Sequence, residues 1–144
     1  MPLMQKGVAA MSGHLPKVIS PKVHAIIDYA NLAAFITMGV LLLKKNRRAA
    51  IASFICAGGE AANTLLTDFP GGVTNVISFP THGKIDMALS AASAALPGFL
   101  EFQDEPQAKF FEMMGLGITG VTAMTDFEAQ RGPHRVTRRV SRTA

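Results

Sequence analysis

Four long apolar stretches divide the chain: Val23–Leu43, Ala49–Phe69, Gly83–Phe102 and Phe110–Phe127. Each holds 18 to 21 residues and carries Ala, Leu and Met rather than alternating β-branched residues. They are too long for strands, so all four are predicted helices. Polar breakers close them: KKNRR at Lys44–Arg48, DFPGG at Asp68–Gly72, FQDEPQ at Phe102–Gln107 and EAQRGP at Glu128–Pro133. Pro97-Gly98 predicts a kink in the third helix, because proline removes a helical hydrogen bond.

Each stretch is long enough to cross a hydrocarbon core of roughly 30 Å. Between Arg48 and Lys84 the only charged residues are Glu60 and Asp68. The charged outer face that a soluble surface helix needs is therefore missing. The helices are dense in Gly, Ala and Ser instead, as in AGGEAAN from Ala57 and LSAASAALPG from Leu89. Small residues of this kind let membrane helices approach closely. The expected fold is all-α, a four-helix transmembrane bundle. A soluble bundle of buried helices is the alternative, since the uncharged runs fall short of the roughly 18 residues that would settle the matter.

The chain also repeats itself. Residues 18–69 and 76–127 align without a gap at an offset of 58, with 16 identities in 52 positions. VIS at Val18–Ser20 meets VIS at Val76–Ser78, and TDF at Thr67–Phe69 meets TDF at Thr125–Phe127. His24 meets His82, and Asp28 meets Asp86. Such a repeat organises everything else: an N-terminal tail (1–17), a four-helix domain (18–127) and a basic C-terminal tail (128–144). Two helices per repeat return the chain to its starting side. Two tandem hairpins should thus be related by a pseudo-twofold axis along the membrane normal.

Composition adds orientation and compartment. A single cysteine, Cys56, makes no internal disulfide and implies no oxidising compartment. The first 22 residues contain no continuous apolar run, so no cleavable signal is expected. Lys6, Lys17, Lys22, Lys84 and five arginines from Arg131 to Arg142 lie on one side of the expected bundle. Lys44, Lys45, Arg47, Arg48 and Lys109 lie on the other. Positive residues favour the cytoplasm, which places both termini inside, although KKNRR pulls the other way. The basic tail is expected to be a solvated end with some contact to anionic lipid headgroups. No aromatic platform or recognition helix accompanies it, so nucleic acid is not an expected partner; the lipid bilayer is, and a homo-oligomer is compatible.

The topology gathers chemistry at one end of the bundle. His24 and Asp28 share a helix face, as do His82 and Asp86, because i and i+4 lie one above the other. Asp68 and Asp126 end the second and fourth helices on the same side. Imidazole and carboxylate together suit Zn, Fe or Mn, and helix bundles build such sites from facing helices. The expectation is a metal site formed by His24, Asp28, Asp68, His82, Asp86 and Asp126. A polar core of Asn31, Glu60, Asn63, Thr64 and Thr122 continues beneath it, with Asn63 the expected partner of Glu60. Three alternatives stay open. Two symmetry-related histidines could ligate one haem. Glu60, without a charged mate in the second repeat, could serve a proton- or ion-coupled transporter. His–Asp contacts could also merely fasten the helices. No nucleophile–base pair or cofactor fingerprint points to catalysis.

The stretches ISPKVHAIIDY (Ile19–Tyr29) and FPTHGKIDM (Phe79–Met87) resemble small bacterial membrane proteins with two-helix His-x-x-x-Asp repeats, akin to the SPW-repeat proteins. ALPGFLEF at Ala95–Phe102 is similar to a degenerate form of that group's Ser-Pro-Trp stretch, with Leu96 in place of the serine and no tryptophan anywhere in the chain. The resemblance spans roughly residues 18–127. It implies an integral protein of the bacterial inner membrane and carries no activity.

Overall fold

The computed structural model describes residues 15–129 of the 144-residue chain. The basic tail from Gln130 onward, with its expected lipid contacts, lies outside the described residues, as does most of the N-terminal tail. The protein is helical: α1 (Pro21–Leu42), α2 (Arg47–Leu66), α3 (Phe79–Phe99) and α4 (Ala108–Met124). Two short strands, β1 (Thr67–Asp68) and β2 (Ile77–Ser78), lie between α2 and α3.

The repeated VIS motif turns out to be a helix-capping device. Ser20 Oγ accepts the Val23 amide and Ser78 Oγ accepts the Thr81 amide, each at 3.4 Å. These side chains satisfy an amide that the first helical turn leaves without a partner. Proline follows in the first turn of each helix, where its missing N–H carries no penalty. Asn46 caps α2 by accepting the Ala49 amide at 3.1 Å. Its amide group donates to Glu105, which also pairs with Arg48 at 2.8 Å, tying the two interhelical connections together at the end remote from the histidines. Pro97 and Gly98 fall in the last turn of α3, which stops at Phe99; Glu101 then adopts a left-handed conformation (φ 57°). The proline therefore sits where the helix ends rather than in its middle.

Helices α1 and α2 pack as one hairpin, α3 and α4 as another, and α2 lies against α3. Aromatic contacts of Phe35 with Phe110 and Phe111 bring α1 to α4. At the histidine end the two repeats exchange short backbone pairings. Thr67 pairs with Ile77 in the parallel ladder of β1 and β2, and Ile19 pairs in parallel with Thr125. These two pairings are the same residues displaced by the 58-residue offset.

The interior divides into two zones. One apolar cluster, built on Phe35, Leu42, Ala49, Ala52, Phe102 and Phe111, fills the end remote from the histidines. The other end buries polar side chains: His24, Asp28, Glu60, Asn63, Thr64, Thr67, His82, Asp86, Thr122 and Thr125. Meanwhile Val23, Ile26, Ile36, Val40 and Leu41 on α1, and Ile51, Phe54, Ile55, Leu65 and Leu66 on α2, face outward. Among the described residues, two helices, α1 and α2, are long and apolar enough to cross a membrane. Helix α3 carries Lys84 and Asp86, and α4 has 17 residues, the lower end of a spanning length.

Candidate metal centre

His24 and Asp28 occupy the first two turns of α1, and His82 and Asp86 the corresponding turns of α3. All four are buried, at 1%, 3%, 0% and 2% exposure. One ligand atom from each lies within 4.8 Å of the others. His24 Nε2 stands 3.2 Å from His82 Nε2. It also lies 3.4 Å from Asp28 Oδ1 and 3.1 Å from Asp86 Oδ2. His82 Nε2 lies 3.2 Å from Asp28 Oδ2 and 3.3 Å from Asp86 Oδ2. Asp28 thus offers a different oxygen to each histidine, while Asp86 offers one oxygen to both.

The far side of each imidazole fixes where its proton lies. Helix α2 closes with a tightened bond from the Thr67 amide to the Thr64 carbonyl. This leaves the Asn63 carbonyl free, and the Thr67 hydroxyl donates to it at 2.6 Å. A threonine hydroxyl has a single hydrogen. The 2.9 Å contact between Thr67 Oγ1 and His82 Nδ1 therefore has the imidazole N–H as donor. The second repeat does the same. The Thr125 amide bonds to Thr122, its hydroxyl donates to the Val121 carbonyl at 2.7 Å, and His24 Nδ1 donates to Thr125 Oγ1 at 2.7 Å. In its neutral form each histidine is thereby held as the Nδ1–H tautomer, which turns the Nε2 lone pair toward the other imidazole and the two carboxylates. That is a cluster of acceptors. It calls for positive charge at its centre, a metal ion or protons, because converging lone pairs in a dry interior repel. Asp28 Oδ2 correspondingly has no hydrogen-bond donor, although it faces His82.

Phenylalanines enclose the cluster. Phe79 and Phe127 rings lie 5.5 Å from His24, and Phe69 lies 5.1 Å from His82. Asp86 is steadied by Asn63, whose amide donates to Oδ1 at 2.7 Å, and by Thr122 at 3.4 Å from Oδ2. Asp28 lacks the equivalents: Val121 replaces Asn63 at the 58-residue offset, and Thr64, the mate of Thr122, has a buried hydroxyl without a partner.

Four of the six expected ligands meet, and two do not. Asp68 is exposed, and Asp126 is half-buried with Oδ1 accepting the amides of Glu128 and Ala129. The helices stop one residue before the TD pair, and the chain turns extended there. Neighbouring side chains in extended backbone point to opposite faces, so threonine faces inward and aspartate outward. Thr67 and Thr125 are the functional residues that ligand chemistry alone missed; the repeated TDF was their signal. A second correction concerns Glu60. Its contact is with Asn31, at 3.4 Å from Nδ2 to Oε1, whereas the expected partner Asn63 turns to Asp86. Asn63, three residues beyond Glu60, crosses to α3 instead of folding back along its own helix. The haem alternative also fails sterically: no macrocycle fits between two imidazole nitrogens 3.2 Å apart.

A buried group of two histidines and two aspartates that could hold a metal ion is what the two repeats assemble. No family model, no curated protein and no solved structure matches the chain.

Proposed function

We propose that this is a four-helix integral membrane protein of two pseudo-twofold-related hairpins that binds one divalent transition metal ion through His24, Asp28, His82 and Asp86. The observation that carries the reading is the pair of Nε2 atoms held 3.2 Å apart, between two buried carboxylates, by Nδ1 bonds to the Thr67 and Thr125 hydroxyls. The spacing is that of a ligand set: tetrahedral ligands about 2.0–2.1 Å from an ion stand roughly 3.3 Å apart. The contacts made by the two Nε2 atoms run from 3.1 to 3.4 Å, with Asp28 offering a different oxygen to each histidine, and one ligand atom from each of the four residues lies within 4.8 Å of the others. An imidazole–carboxylate set suits Zn, with Fe and Mn as competitors. The membrane setting is supported by the inverted pattern of buried polar and outward apolar side chains, and by the likeness of the repeats to SPW-type membrane proteins.

The test is the metal content of protein purified in mild detergent, without chelator or metal-affinity resin. A His24→Ala/His82→Ala double variant is measured beside it. A single ion in the wild type, absent from the variant, is expected. A wild type that takes up none of Zn, Fe or Mn would leave the cluster as protonated His–Asp contacts fastening α1 to α3.

A second reading, an ion- or proton-coupled carrier, draws on Glu60. It lies buried beyond the cluster, and the Asn63 Oδ1 and Thr64 Oγ1 atoms on the same helix face have no partner. Zinc or proton flux into proteoliposomes, compared between wild type and Glu60→Gln, tests it; equal flux in the two would end it.

A further inference from the structure

Beside the histidine end, α3 and α4 leave an open apolar groove of about 560 Å³, a volume typical of small-molecule sites. Met87, Leu116, Gly120 and Phe127 form its walls, and Lys17 and Lys84 stand at its mouth. No carboxylate is among the described residues that line it.

Among the described residues, the two repeats differ on this face. In the first repeat the loop after β1 covers the equivalent surface. The amides of Val73 and Thr74 both donate to the Leu65 carbonyl, and Tyr29 Oη donates to the Gly71 carbonyl at 2.7 Å. In the second repeat the residue equivalent to Leu65 is Ala123, and its carbonyl accepts Lys17 Nζ at 2.6 Å. Among the described residues, the Lys17 ammonium thus takes the carbonyl that the loop amides take in the first repeat. Gly120 widens the groove: a Cβ built there meets nothing within 4 Å.

We propose that this groove binds an anionic amphiphile with one apolar tail, its head between Lys17 and Lys84 and its tail running along α4 toward Leu116. From Ala123 to Leu116 the helix rises roughly 10 Å, enough for part of an acyl chain. Two cations at one end and an apolar trough at the other complement such a molecule. The head could be a free carboxylate or a phospholipid phosphate. Neither the lining nor the charge depends on metal being bound.

Native mass spectrometry of the full-length protein in neutral detergent tests this, with oleate, lysophosphatidylglycerol and the zwitterionic lysophosphatidylcholine as probes. Adducts of one or both anionic probes are expected, and their relative strength identifies the head. Gly120→Leu should abolish them, because it fills the trough without displacing a packed neighbour and improves helix propensity. Lys17→Gln/Lys84→Gln should weaken anionic binding about tenfold or more. Equal binding of the zwitterion, unchanged binding in Gly120→Leu, or no adduct with any probe would overturn the proposal.

Discussion

The threonines that orient the histidines offer the sharpest test of the site. Replacing Thr67 with valine keeps the shape and removes one oxygen. That oxygen accepts the His82 Nδ1 proton at 2.9 Å, and its hydrogen goes to the Asn63 carbonyl at 2.6 Å. Two buried polar groups lose their partner at once, at about 1–3 kcal/mol for each group left unsatisfied. The imidazole is then free to rotate or to shift its proton to Nε2, where it would block the ion. Removing such an outer partner typically weakens metal binding about 10- to 100-fold. Thr64→Val is the control. The Thr64 hydroxyl is equally buried and has no partner, so its loss is expected to leave affinity unchanged and stability the same or slightly higher. Zinc affinity measured by chelator competition in detergent reads both variants, with Thr67→Ser as the rescue that restores the hydroxyl. The reasoning fails if Thr67→Val binds zinc as tightly as wild type, or if Thr64→Val loses as much.

The remaining predictions concern charge, protons and packing. Asp28→Asn and Asp86→Asn should each lose the metal, whereas Asp68→Asn and Asp126→Asn should retain it, as elemental analysis of the four proteins would show. Metal entry must displace any proton held on the Nε2 atoms, so zinc added to metal-free protein in weak buffer should release acid, and magnesium should not. Gly115→Ala would push a Cβ to 2.8 Å from the Ser90 carbonyl and disturb the Ser90 hydroxyl bond to Gly115. A loss of about 1–3 kcal/mol is expected in denaturant titration. Gly58→Ala meets nothing within 4 Å and should be neutral or stabilising by up to about 1 kcal/mol.

Much of this was written in the one-dimensional pattern, and the limits of that legibility are physical. The pairs His24/Asp28 and His82/Asp86 could be assigned to one space because helical periodicity and the 58-residue offset each constrain them. Helix ends are less legible. A helix stopping at Leu66 instead of Phe69 exchanges the inward residue, so Thr67 enters and Asp68 leaves. Partners across helices are harder still: Asn63 lies within reach of Glu60 along α2, yet it bonds to Asp86 on α3. The clustering of Phe69, Phe79 and Phe127 around the imidazoles had no helical periodicity to announce it, since Phe69 and Phe127, mates in the repeated TDF, lie just past α2 and α4 and Phe79 opens α3. Length and hydropathy single out α1 and α2 as spanning candidates: α4 has 17 residues, and α3 adds Lys84, Ser90 and Ser93 to the His/Asp pair that α1 also carries.

The paired backbone bridges at the histidine end carry a further consequence. The end of the first repeat pairs with the start of the second at Thr67 and Ile77, and the end of the second pairs with the start of the first at Thr125 and Ile19. Each half lends its last residues to the other, and the threonine lent is the one that holds a histidine. Residue 82 is held by the first half, and residue 24 by the second. Neither half alone owns a finished ligand. In chain order Thr125 comes last, so both histidines have their threonine partners only once residues of both repeats are in place. Separating the two halves would therefore strip each histidine of the hydroxyl that orients it, even with both helices intact.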